Sequence, residues 1–222
     1  MNLRFNLKQM NQNVFMEKNV SMFFLDVTVQ NQNKNAHFFH EFLGSDKRLF
    51  DYKSGRYCAA EALRNLGLKN ATVLTGIWGE PIWPNKYVGS ISHCDQLIGA
   101  AVALKEKHFS LGIDIEEVGK VNEKIWDLIF TENEKNFLRV YEGEKLKQLS
   151  TIIFSIKESF YKFQFPITNE FLDFLDVEVD LPSLSNVRVL NNRFSNFSHL
   201  RKNKVEYQIY KSLIITLVSS TI

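Results

Sequence analysis

The chain has 222 residues, 45% of them hydrophobic, enough to bury one large core or two small ones. A net charge of +2 and a charged fraction of 23% give no basis for a nucleic-acid binder. The longest uninterrupted apolar run, Leu97–Leu104, falls far short of the roughly 20 residues a membrane-spanning helix needs.

Residues 1–36 hold two Asn/Gln-rich stretches, at 11–13 and 30–35, around an alternating apolar segment at 22–29 that reads as a strand. The opening MNLRFNLKQM lacks the apolar core of a signal peptide, so a cytoplasmic protein is expected. His37 and His40 stand at a metal-compatible spacing in HFFH, but no acid or cysteine completes a site in sequence. Residues 55–67, GRYCAAEALRNLG, place Cys58, Ala59, Ala62, Leu63 and Leu66 at helical spacing, with Gly67 as a stop. Lys47, Arg48 and Arg56 gather around the start of this helix, and helix N-termini favour anions, although solvated cations would look the same. The segment 79–90, GEPIWPNKYVGS, reads as a loop from its two prolines and two glycines. Leu97–Leu104 then reads as a buried strand. Cys58 and Cys94 have no metal-type spacing and are expected as two free thiols.

Residues 111–116 alternate strictly, as in a half-buried strand. Thr131 and Glu134 form a capping-box pattern opening a helix. Residues 151–165 read as a further helix broken by Pro166. Alternating segments follow at Val177–Val179, 187–190 and 205–218. No linker or tandem repeat is visible, and the whole reads as a mixed α/β (α+β) protein. From residue 181 onward Arg188, Arg193, Arg201, Lys202, Lys204 and Lys211 face the single acid Glu206; this is either solvated surface or a contact face for an acidic partner.

Three groups of residues can carry chemistry. In GIDIE, period 2 puts Asp114 and Glu116 on one side of a strand, roughly 6.5–7 Å apart at the backbone. Mg²⁺ suits such a pair together with waters and phosphates, though an amphipathic strand with a solvated acidic edge has the same spacing. In FSIKESFYK, Glu158 and Lys162 are four apart and share a helix face, as any surface Glu–Lys pair would. In GSISH, small residues with Ser92 and His93 could receive a phosphate through N–H groups, hydroxyl and imidazole.

Taken in order, GSISHC at 89–94, GIDIE at 112–116 and FSIKESFYK at 154–162 resemble the 4'-phosphopantetheinyl transferase superfamily, its surfactin-type group, and most closely the enterobactin synthetase component D branch. Lys47-Arg48, the GRYCAAEAL run, Leu66-Gly67 and Pro81-Ile82-Trp83-Pro84 extend the likeness over residues 45–165. The resemblance implies two similar α/β halves, 1–105 and 106–222, with the active site between them. It implies Asp114, Glu116 and Glu158 as Mg²⁺ ligands, Glu158 and Lys162 as catalytic groups, and Lys162, Ser92 and His93 on the phosphates of coenzyme A. Arg56, Lys47 and Arg48 correspond to the residues that grip the adenosine 3'-phosphate. The implied reaction moves phosphopantetheine from coenzyme A to a serine of an acidic acyl or peptidyl carrier protein, with a monomeric enzyme. Two departures stand out. Gly79 and Glu80 occupy the stretch where the family carries a basic residue, with Lys86 a candidate substitute, and Phe154 replaces a tryptophan.

Overall fold

The structure, a computed structural model, describes residues 15, 17, 19–27, 46–77, 79–194 and 196–222. The His37/His40 pair and the last two residues of the strand expected at 22–29 lie outside these. In chain order the elements are β1 (Val20–Asp26), α1 (Lys47–Asn65), β2 (Leu74–Thr75), β3 (Pro81–Ile82), β4 (Tyr87–His93), β5 (Leu97–Leu104) and β6 (His108–Glu117). Then come α2 (Trp126–Ile129), α3 (Glu132–Leu138), α4 (Gly143–Thr168), β7 (Val177–Val179), β8 (Val187–Val189), β9 (Lys204–Tyr210) and β10 (Leu213–Thr221).

Two three-stranded antiparallel sheets organise the molecule, in the orders β1-β5-β4 and β6-β10-β9. Each is built from a strand, a helix (α1 or α4) and then two strands, with the last strand inserted in the middle. The repeat that leaves no trace in the sequence is therefore plain in the connectivity. Strand alternation sorts the side chains into layers. Met22, Phe24, Leu97 and Ala101 from one sheet meet Leu111, Ile113, Ile115, Leu213, Ile215 and Leu217 from the other in a shared central core. The opposite face of the first sheet, with Ile98, Ala100 and Val102, is covered by Cys58, Ala59, Ala62 and Leu63 of α1. The opposite face of the second is covered by α4, whose Ile152, Ile153, Ile156, Phe160 and Phe163 join Ile214 and Val218.

Several expectations change at the element ends. The first helix begins two turns earlier than the apolar pattern suggests, at Lys47, where the Asp46 carboxylate caps the Arg48 N–H at 3.1 Å. The segment 79–90 is only partly a loop. From Tyr87 it becomes β4, paired along its length with β5, so the GSISH run lies on an edge strand. Gly89 fits there because the Trp83 ring lies where its Cβ would be. Pro166 does not break α4, which runs on to Thr168 and closes on Asn169 in the left-handed region. So near the end of a helix, proline forfeits little beyond one hydrogen bond. Both halves of the Thr131–Glu134 capping box form, and both cysteines are free thiols. Among the described residues no helix is long and apolar enough to cross a membrane.

Candidate functional site

The site is built where α4 crosses β6. A Cβ on Gly112 would lie 2.0 Å from the Ser159 carbonyl oxygen, so glycine lets the helix press onto the strand at that point. The same strand face carries Asp114 and Glu116, and the helix face above it carries Ser155, Glu158 and Lys162. Asp114, 3% exposed, is fully engaged. Its Oδ1 accepts from Ser92 Oγ at 3.0 Å and from Lys162 Nζ at 2.8 Å, and its Oδ2 accepts from Ser155 Oγ at 2.9 Å. Lys162 Nζ also donates to Ser92 Oγ at 2.9 Å and to the Ile113 carbonyl at 3.2 Å, so all three ammonium protons have acceptors.

Glu116 and Glu158 flank this pair. Burial first, then the Asp114 charge and the Glu158 charge, push the Glu116 carboxyl up to about 7, against the opposing pull of Lys162 and Lys120. Burial and Asp114 likewise raise Glu158 above the usual carboxylate range. Three carboxylates that feel one another across a half-buried site, with one lysine among them, are a donor set suited to a hard divalent cation. Among the described residues no three His, Cys, Asp or Glu side chains stand close enough together to hold a metal ion, so Asp114, Glu116 and Glu158 are not drawn around one point here.

Beside the acids lies a cleft of about 660 Å³ lined by Arg56 and Tyr52 of α1, Ile91 and His93 of β4, and Gly79 and Pro81 of the hairpin between β2 and β3. Lys47 and Arg48 stand at its rim, on the first turn of α1. Arg56 lies over the Tyr52 ring, 4.9 Å from its centre, and donates to Thr75 Oγ1 at 3.4 Å; its Nε is buried with no partner among the described residues. His93 is half exposed, 3.8 Å from Asp51. Lys47 pairs with Asp95, which raises its ammonium pKa. The sequence-expected residues thus fall into two adjoining groups: Asp114, Glu116, Glu158, Lys162 and Ser92 at the helix–strand crossing, and His93, Arg56, Lys47 and Arg48 along the cleft.

A second lysine of α4, Lys157, is wholly buried. It pairs with Glu134 Oε2 at 2.6 Å and donates to the carbonyls of Ile129, Phe174 and Val177 at 2.8, 2.9 and 3.0 Å. Glu134 is completed by the N–H groups of Thr131 and Val179. Burial raises the Glu134 carboxyl and lowers the Lys157 ammonium, while their mutual attraction opposes both shifts.

Two family models match the chain: the 4'-phosphopantetheinyl transferase N-terminal domain over residues 44–103 and the 4'-phosphopantetheinyl transferase superfamily over residues 110–218. Enterobactin synthase component D from Escherichia coli K12 is 32% identical over 176 residues, covering 77% of each chain. The chain belongs to the 4'-phosphopantetheinyl transferase superfamily. The 4'-phosphopantetheinyl transferase Svp from Streptomyces mobaraensis is 36% identical over 134 residues, 60% of this chain and 54% of that protein, so the match spans about half the length of that family member. A solved holo-[acyl-carrier-protein] synthase from Thermotoga maritima overlays with a TM-score of 0.41 and 24% identity, covering 49% of this chain and 61% of that one. Against the family pattern, Gly79 lines the cleft while the Glu80 carboxylate turns back over Gly76, and Lys86 is not among the lining residues.

Two further features escaped the sequence. Ser155 sits three residues before Glu158 and seven before Lys162, a helical spacing that marks one face. The C-terminal basic tract is not a bare positive face: Arg188 pairs with Glu178, Arg193 with Glu170, Lys204 with Glu17 and Glu206, and Lys211 with Asp26. Three-dimensional neighbours supply the acids that the local sequence lacks.

Proposed function

We propose that this chain transfers the 4'-phosphopantetheine group of coenzyme A to a serine of an apo carrier protein and releases 3',5'-ADP. The observation that carries the reading is the Asp114–Lys162 pair, with Glu116 and Glu158 near it, joined through Ser92 to the strand whose Ile91 and His93 line a cleft bearing Arg56, in a member of this family. The cleft would hold the nucleotide, with Arg56, Lys47 and Arg48 toward its 3'-phosphate and His93 and Ser92 toward the diphosphate. Asp114, Glu116 and Glu158 would hold a Mg²⁺ ion, which when bound supplies charge neutralisation on the diphosphate oxygens. Glu158, raised above the usual carboxylate range, accepts the proton of the carrier serine as its oxygen attacks the β-phosphorus. The P–O bond to the α-phosphate breaks, and Lys162 stabilises the charge that collects on the departing 3',5'-ADP. Fixing donor and acceptor in line lowers the barrier by positioning.

The same reading divides the chain into halves 1–105 and 106–222, takes the protein as a cytoplasmic monomer, and assigns it acidic carriers of siderophore or peptide synthetases. Incubation with CoA, Mg²⁺ and a panel of apo carrier proteins, followed by mass spectrometry, tests it. A carrier gaining one phosphopantetheine is the expected result. Release of 3',5'-ADP without any carrier would mark a phosphohydrolase and overturn the transfer.

A further inference from the structure

Behind Asp114 runs a string of buried hydroxyls that the reaction as described does not use. Thr216 of β10 stands directly opposite Asp114 of β6 in the sheet register, so both face α4. Thr216 Oγ1 lies 2.9 Å from Ser155 Oγ and 2.6 Å from Ser159 Oγ. Ser155 Oγ in turn donates to Asp114 Oδ2 at 2.9 Å. Ser155, Ser159, Thr216 and Asp114 are all buried.

Proton counting fixes the step nearest the acid. A carboxylate paired with Lys162 only accepts, so the single Ser155 proton goes to Asp114 Oδ2. Ser155 Oγ is then an acceptor toward Thr216, and Thr216 Oγ1 an acceptor toward Ser159. The Thr216 proton is shared between Ser155 Oγ and the Ser155 carbonyl at 2.9 Å. The Ser159 proton is likewise shared between Thr216 Oγ1 and the Thr216 carbonyl at 3.2 Å, so the Ser155 proton alone is committed to the acid, and the other two hydroxyls hold Ser155 Oγ from behind. Lys162 and Ser92 hold the other oxygen. The carboxylate is therefore gripped on both sides and its plane is fixed.

We propose that Ser155, backed by Thr216 and Ser159, is a positioning residue that sets the orientation of the Asp114 carboxylate for a divalent cation. This rests on Asp114 being a metal ligand, as argued above. Carboxylate ligands held by an outer hydrogen bond lose metal affinity by about 10- to 100-fold when that bond is removed. Ser155 is buried and is not among the cleft's lining residues, so its effect should appear in metal binding and leave the cleft alone.

The test is Mn²⁺ binding to the full chain, read from the loss of the free-ion EPR signal, alongside steady-state kinetics. Ser155→Ala should bind Mn²⁺ at least about tenfold more weakly and need correspondingly more metal for activity, with KM for CoA unchanged at saturating metal. Thr216→Val should weaken Mn²⁺ in the same direction and Thr216→Ser should restore wild-type affinity, a difference that packing alone would not give. If Ser155→Ala does not fold, the Thr216 pair carries the same comparison. Wild-type affinity in Ser155→Ala or Thr216→Val overturns this inference alone. A wild-type chain that binds no Mn²⁺ overturns the metal reading beneath it as well.

Discussion

The two halves share one connectivity but differ in what lies between helix and sheet. Under α1 the contact is apolar and small: Cys58, Ala59, Ala62 and Leu63 against Ile98, Ala100 and Val102. Under α4 the apolar contact with Ile214 and Val218 is joined by a polar strip of Ser155, Ser159, Thr216, Asp114 and Ser110, the last donating to the Phe163 carbonyl at 2.7 Å. Burying those groups is costly unless each has a partner, and here each has one. The contrast teaches that one scaffold accepts either filling, and that reactive groups were placed where polar partners could be made complete. The first half contributes an open, exposed cleft; the second contributes a rigid, saturated centre.

The contrast can be broken or sharpened by substitution. Asp114→Asn keeps the shape of the polar seam and removes its charge. Transfer measured with labelled CoA should fall by at least about a hundredfold, while circular dichroism stays unchanged; retained turnover would remove Asp114 from the centre. Lys157→Met leaves Glu134 buried without its ion partner. Urea denaturation should show a loss of about 3–5 kcal/mol, much of it recovered when Glu134→Gln is added. Gly112→Ala forces α4 off β6 and should cost about 1–3 kcal/mol in the same assay, with activity falling further than stability. Lys162→Ala should lower kcat more than it raises KM for CoA, whereas Arg56→Ala should do the reverse, separating the saturated centre from the open cleft in one set of kinetics.

The smallest effect concerns pH. Burial and the neighbouring acids hold the folded Glu116 carboxyl at about 7, above its ordinary 4.5. The folded chain therefore binds this proton more tightly than the unfolded chain. Stability from this group is full below about 4.5 and is lost as pH rises through about 7. Thermal melts in EDTA between pH 4.5 and 8 should show that decline, and added Mg²⁺ should flatten it. A flat profile in EDTA would separate Glu116 from its acidic neighbours.

Much of the centre was legible because its signals are local. The alternation of residues 111–116 fixed the shared face of Asp114 and Glu116, and the four-residue spacing fixed that of Glu158 and Lys162. The β6–α4 crossing then joined the two faces, as the motif order suggested. What stayed hidden depends on distant partners. Residues 87–90 read as part of a loop because proline and glycine dominate the local signal, whereas pairing with β5 decides the outcome. The basic tract after residue 181 looked unbalanced because its acids lie elsewhere in the chain, at Glu17, Asp26, Glu170 and Glu178. Thr216 lies far from Asp114 in sequence, and only the sheet register brings them together.

The anchoring of Lys157 has a consequence for aim. Successive residues of a helix project about 100° apart around its axis, and Glu158 follows Lys157 directly. An ammonium bolted to three carbonyls and a carboxylate stops α4 from rolling about its own axis, so the direction of Glu158 is set from behind. A shaft keyed at one residue delivers its neighbour at a fixed angle, and the acid keeps its bearing on the strand without needing a tether of its own.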